Sequence, residues 1–134
     1  MTKSYKITNV MLDAAVNENI LPSDAEQINL YTNYQENTII NVKLPPGQFV
    51  GDKKVIHWAD QYGTNPTPTN TQLYIRTEGW MDDMRTGITG RTFTATLAGG
   101  YAFLTWAGDR WLITSYSSNL DGDNDNPFFT GVGY

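Results

Sequence analysis

Two strand-length runs near the end of the chain, Tyr101-Ala102-Phe103-Leu104-Thr105-Trp106 and Trp111-Leu112-Ile113-Thr114-Ser115-Tyr116, flank the short stretch Ala107-Gly108-Asp109-Arg110. Both runs are rich in aromatic and β-branched residues, which suit a pleated surface, and the stretch between them holds the glycine that a tight reversal needs. Neither run is long enough for a helix that buries a face of its own. They predict a β-hairpin, and a hairpin of this quality commits the chain around it to β structure.

The same period-two signal recurs upstream. In Thr38-Ile39-Ile40-Asn41-Val42-Lys43-Leu44, the side chains of Ile40, Val42 and Leu44 share one face, with Asn41 and Lys43 on the other. Pro45-Pro46-Gly47 then ends the strand, because proline has no N–H to give to a ladder. Lys53 to Ala59 and Gln72 to Thr77 read as further strands, and Thr92 to Leu97 sets Phe93, Ala95 and Leu97 opposite three threonines. The stretches Gln61 to Asn70 and Gly79 to Gly90 read as long loops, and Ala98-Gly99-Gly100 as a turn. Strands joined by short turns, with no helical period between them, predict an all-β fold. The expected form is an antiparallel β-sandwich or barrel-like module of about seven or eight strands.

The first stretch, through Pro22, carries no clear period. Tyr5 to Thr8 reads as a short strand and Val10 to Val16 as a turn or two of helix. Residues 1–36 are therefore expected to form an N-terminal arm and first strand, ordered by a neighbour. A β module over 37–116 and an acidic, aromatic tail over 117–134 follow.

Charge and composition narrow the partners. The 134 residues make one domain's worth of chain, with 14 acidic against 9 basic residues and a formal net charge of −5. Only Lys53-Lys54 sets two basic residues side by side, so no patch exists to displace counterions and no nucleic-acid partner is expected. No apolar run reaches the length of a spanning helix, and the start lacks the apolar stretch of a signal peptide, so no membrane role is expected. Cysteine is absent, which leaves packing and association as the sources of stability.

The residues able to carry chemistry are few. His57, the single histidine, sits in a predicted strand on the face of Val55 and reads as a satisfied strand residue rather than a general base. Asp82-Asp83, with Asp60 and Glu78, offers the carboxylates of a glycosidase, but neighbours along a chain point apart and the solvated-loop reading is preferred. No catalytic residue and no cofactor are expected. Asp121, Asp123 and Asp125 repeat the alternating oxygen ligands of a calcium loop. However, Asn126 stands at the glycine position and no closing acid follows, which leaves them a weak metal candidate beside the reading of a flexible acidic linker. Trp58, Trp106 and Trp111 fall in strands and read as core or interface residues. Trp80 follows Gly79 in a predicted loop, next to Met81, Asp82 and Asp83. A tryptophan beside carboxylates can stack on a sugar ring while the acids accept its hydroxyls, with Tyr62 and Tyr74 as helpers. The other reading is a ring buried to anchor the loop, which is the expected outcome.

An ordered set of pieces resembles a β module of phage virions. A strand ends in Leu44-Pro45-Pro46, and Val50-Gly51-Asp52-Lys53-Lys54-Val55-Ile56 makes a glycine turn into the next. Leu73-Tyr74-Ile75 is a middle strand, and Thr96 through Ile113 supplies a closing hairpin with Trp111 just after a glycine turn. This order is similar to the module of tail fibres, head fibres and capsid decoration proteins. The resemblance implies a virion location, a homotrimer, and partners such as the major capsid protein. It implies a structural protein of the particle or, alternatively, a receptor-binding adhesin that recognises a host-surface glycan. The two long loops and the acidic tail depart from that pattern.

Overall fold

The computed structural model describes residues 5–32, 37–59, 71–84, 87, 89–95 and 100–116. Among them the regular structure is all β: β1 (Ile7–Met11), β2 (Asn19–Ile20), β3 (Gln27–Tyr31), β4 (Ile39–Lys43), β5 (Lys53–Trp58), β6 (Gln72–Asp83), β7 (Thr89–Ala95), β8 (Tyr101–Trp106) and β9 (Trp111–Tyr116). All belong to one curled sheet, a half-barrel, in the order β1-β3-β5-β8-β9-β6-β4-β2, with β7 attached to β6.

The order sorts the strands by parity. β1, β3 and β5 pair in parallel as one wing, and β2, β4 and β6 pair in parallel as the other. The chain therefore changes wing at every connection from β1 to β6. The hairpin β8–β9 stands between the wings, with β8 antiparallel to β5 and β9 parallel to β6. The sheet is thus mixed, where an antiparallel sandwich was expected. Turn chemistry in a sequence announces only local, antiparallel pairs, and parallel pairs between strands distant in the chain leave no such local signal.

Alternate residues of β3, β4, β5, β6, β8 and β9 face the core. Ile28 and Leu30 of β3, Ile40 and Val42 of β4, Ile56 and Trp58 of β5, and Leu73 and Ile75 of β6 are buried. Leu104 of β8 and Trp111 and Ile113 of β9 join them from the hairpin. Residues from both wings (Leu30 and Trp58 on one side, Leu73, Ile75 and Phe93 on the other) line a common small void, so the curl folds the wings onto one core. The hairpin has the bounds that its sequence predicts, and its turn places Gly108 at φ +106°, where a side chain would be strained.

Two segments differ from expectation. The N-terminal segment is part of the sheet rather than an arm: it supplies β1, β2 and β3, and it buries Leu12, Leu21, Ala25, Ile28 and Leu30. The helical turns expected over Val10–Val16 are not formed, because the Leu12 N–H goes to the Tyr31 carbonyl at 2.7 Å and continues the β1–β3 ladder. Most of the predicted Gly79–Gly90 loop is strand as well. β6 runs on to Asp83, with a register shift between Arg76 and Met81 where Thr77 Oγ1 donates to the Gly79 carbonyl at 2.7 Å. That irregularity lets β6 change partners. Its first half pairs with β4 and its last three residues with β9.

Candidate functional site

Period two divides the acidic pair. Along β6, Trp80 and Asp82 face outward while Met81 and Asp83 face the core. Trp80 is 43% exposed, and the Arg91 guanidinium lies over its ring at 4.6 Å. Asp82 accepts from Arg110 Nη1 at 3.2 and 3.3 Å and from Thr89 Oγ1 at 2.8 Å. Asp83 is fully buried and accepts from the Tyr116 hydroxyl at 2.9 Å. Two expectations are corrected here. Trp80 is an exposed strand residue, not a buried loop anchor, and Asp83 is a core carboxylate, not a solvated one.

The surroundings of Trp80 form a shallow groove. Pro46, Glu78, Trp106, Asp109 and Arg110 line it with Trp80. Glu78 is tied to Lys43 at 2.7 Å, and that hydrogen bond holds its carboxyl below the ordinary value of 4.5. Trp106 packs edge-on against Trp111 at 5.1 Å, and the buried Trp111 indole donates to the Pro45 carbonyl at 3.0 Å. The groove thus presents an indole, a guanidinium and carboxylates, and its charges are largely paired among themselves. Tyr74 lies at the other end of β6, between Asn41 and Thr94. Tyr62, Asp60 and the three tail aspartates Asp121, Asp123 and Asp125 lie outside the described residues.

A second surface forms where β3 joins β1 to β5. Four strands, β1, β3, β5 and β8, turn a continuous row of side chains outward in register: Ile7, Gln27, Val55 and Phe103. The next row is Asn9, Asn29, His57 and Tyr101. The amides form a ladder: Asn29 Nδ2 donates to Asn9 Oδ1 at 3.0 Å, Gln27 Nε2 to Asn29 Oδ1 at 3.1 Å, and the Tyr5 hydroxyl to Gln27 Oε1 at 3.3 Å. Beside it Tyr101 and Phe103 meet edge to face at 5.3 Å, and Ile7, Met11, Tyr101 and Phe103 are exposed. His57 sits half-buried within this face, and burial holds its imidazole below the ordinary 6.5. The alternation Gln27-Ile28-Asn29-Leu30-Tyr31 was the signal that locates β3, and through it this face.

The other polar feature of note is structural. Lys54 is buried on the core side of β5, and its ammonium donates to the carbonyls of Ser23 (3.0 Å) and Ala25 (2.6 Å), pinning the segment before β3. Burial lowers its pKa from 10.5, against the pull of Glu26, Asp24 and Asp52. Comparison with known proteins adds no assignment: no family model and no curated protein matches the chain.

Proposed function

We propose that this chain is a structural protein of a bacteriophage particle, a capsid decoration or fibre component held in place by protein–protein contacts. The observation that carries the reading is the outward face of β1, β3, β5 and β8. It sets exposed Ile7, Met11, Tyr101 and Phe103 around an amide ladder, a mixture of apolar rings and neutral hydrogen-bonding groups found at protein interfaces. The order of strand, glycine turn and closing hairpin supports the phage assignment by its resemblance to virion β modules, and the same resemblance favours a homotrimer with the major capsid protein as a neighbour. Quantitative composition of purified particles tests the reading. Hundreds of copies mean decoration and about a dozen a tail part, while absence from the particle ends the proposal.

A second reading has its own support. Trp80 is exposed, backed by Arg91, and shares its groove with Trp106, Asp109 and Arg110. An indole platform rimmed by paired charges suits stacking on a sugar ring, which is the chemistry of a receptor-binding adhesin. Binding of purified protein to host-surface polysaccharide, lost on Trp80→Ala, would move the assignment from decoration to host attachment.

A further inference from the structure

We infer that the outward face of β1, β3, β5 and β8 packs against the same face of a second copy of this chain, about a two-fold axis. The inference rests on reading that face as a protein-contact surface, and it names the occupant, a two-fold copy in place of the three-fold association that the resemblance favours.

Charge supplies the first argument. The chain carries 14 acidic residues and a net charge of −5, so two copies repel one another over most approaches. Yet the outward positions of these four strands hold no aspartate or glutamate, and Lys53, at the start of β5, is the one charged residue there outside the titrating His57. A strongly charged partner would find no countercharge on this face. A second copy would meet no acidic side chain there.

Self-complementarity supplies the second. A two-fold contact sets residue i against residue j and j against i, so the patch must match itself. Amides satisfy this condition because each carries donors and an acceptor together, and so does a neutral imidazole. Asn9, Gln27 and Asn29 form the ladder, and His57 is held toward its neutral form by burial. Val55 and Phe103 supply apolar contact between them, which is indifferent to orientation. The patch also runs to β1, which ends the sheet among the described residues.

Sedimentation equilibrium of the full chain tests the inference, with the parent compared to Asn29→Asp and Phe103→Glu. The parent is expected to be a dimer whose dissociation responds little to salt. Each substitution places two like charges near the axis and should weaken the dimer by about 100-fold while circular dichroism stays that of the folded chain. If Phe103→Glu fails to fold, the near-isosteric Asn29→Asp decides. A monomeric or trimeric parent, a dimer indifferent to Asn29→Asp, or one that dissociates with added salt overturns the inference. A trimer found in purified particles would end the two-fold contact and leave the virion reading standing. A dimer absent from particles would do the reverse.

Discussion

The hydroxyl of Tyr116 donates to the carboxylate of Asp83 at 2.9 Å, joining the end of β9 to the end of β6 inside the core. A carboxylate with no solvent exposure depends on such donors, because its desolvation is offset only by the hydrogen bonds it accepts. Tyr116→Phe keeps the ring and removes the donor, so it should destabilise the fold by about 1–3 kcal/mol. Chemical denaturation of parent and variant measures the difference, and equal midpoints would show that water replaces the hydroxyl.

Trp111 is the strongest single anchor of the hairpin. Its ring is fully buried, packs edge-on against Trp106, and donates to the Pro45 carbonyl. Trp111→Ala removes both contacts and leaves a cavity, and should cost about 3–5 kcal/mol. Thermal melting checks this directly. A variant that melts with the parent would mean that the segment around Pro45 closes over the space without loss.

His57 gives the fold a dependence on pH. Burial keeps its folded pKa below 6.5, so the folded state prefers the neutral ring and the unfolded state takes up the proton first as pH falls. Its contribution is therefore complete above about pH 6.5, shrinks as pH drops from there toward the folded pKa, and is constant below it. Asp24 and Glu78 have depressed values, the first through its bond to Lys6 and the second through Lys43, so their contributions are lost only at more acidic pH. Melting curves between about pH 7.5 and pH 5.5 should fall for the parent and fall less for His57→Gln. Parallel slopes in the two proteins would place the titration elsewhere.

Trp80→Ala separates the two functional readings. The ring is half-exposed and its described ring contact is the Arg91 guanidinium, so removing it should cost no more than about 1 kcal/mol of stability. On the adhesin reading the same change abolishes glycan or cell binding in a protein of unchanged melting temperature. On the virion-scaffold reading it leaves incorporation into particles untouched. A large drop in melting temperature would contradict the exposed placement itself.

What the sequence revealed followed from where its signals are local. The hairpin Tyr101–Trp106 and Trp111–Tyr116, and the cores of β4 and β5, were legible because alternation and turn residues lie within a few positions of one another. β2 was not, since it has two residues and is defined only by its parallel partner β4. The strand signal of β6 stops at Thr77, because Glu78-Gly79 reads as a loop opening, although it is a bulge in a strand that continues to Asp83. The same bulge disguises the candidate site. Once Trp80 to Asp83 is strand, Asp83 must face away from Trp80, and a sugar site using both is ruled out by pleat alone. The outward amide ladder needs two parallel strands, β1 and β3, in register, which no window of adjacent residues contains.

The placement of the β8–β9 hairpin also orders events in time. A ribosome delivers the chain from its N-terminus, so the two wings of odd and even strands emerge before the strands that join them. Until Tyr101–Trp106 emerges β5 lacks its neighbour β8, and until Trp111 and Ile113 follow the far end of β6 lacks β9, which leaves two half-sheets with open edges. Such edges invite pairing with other chains, and pairings between distant strands form slowly. A nascent or truncated chain ending before residue 111 is therefore the aggregation-prone species.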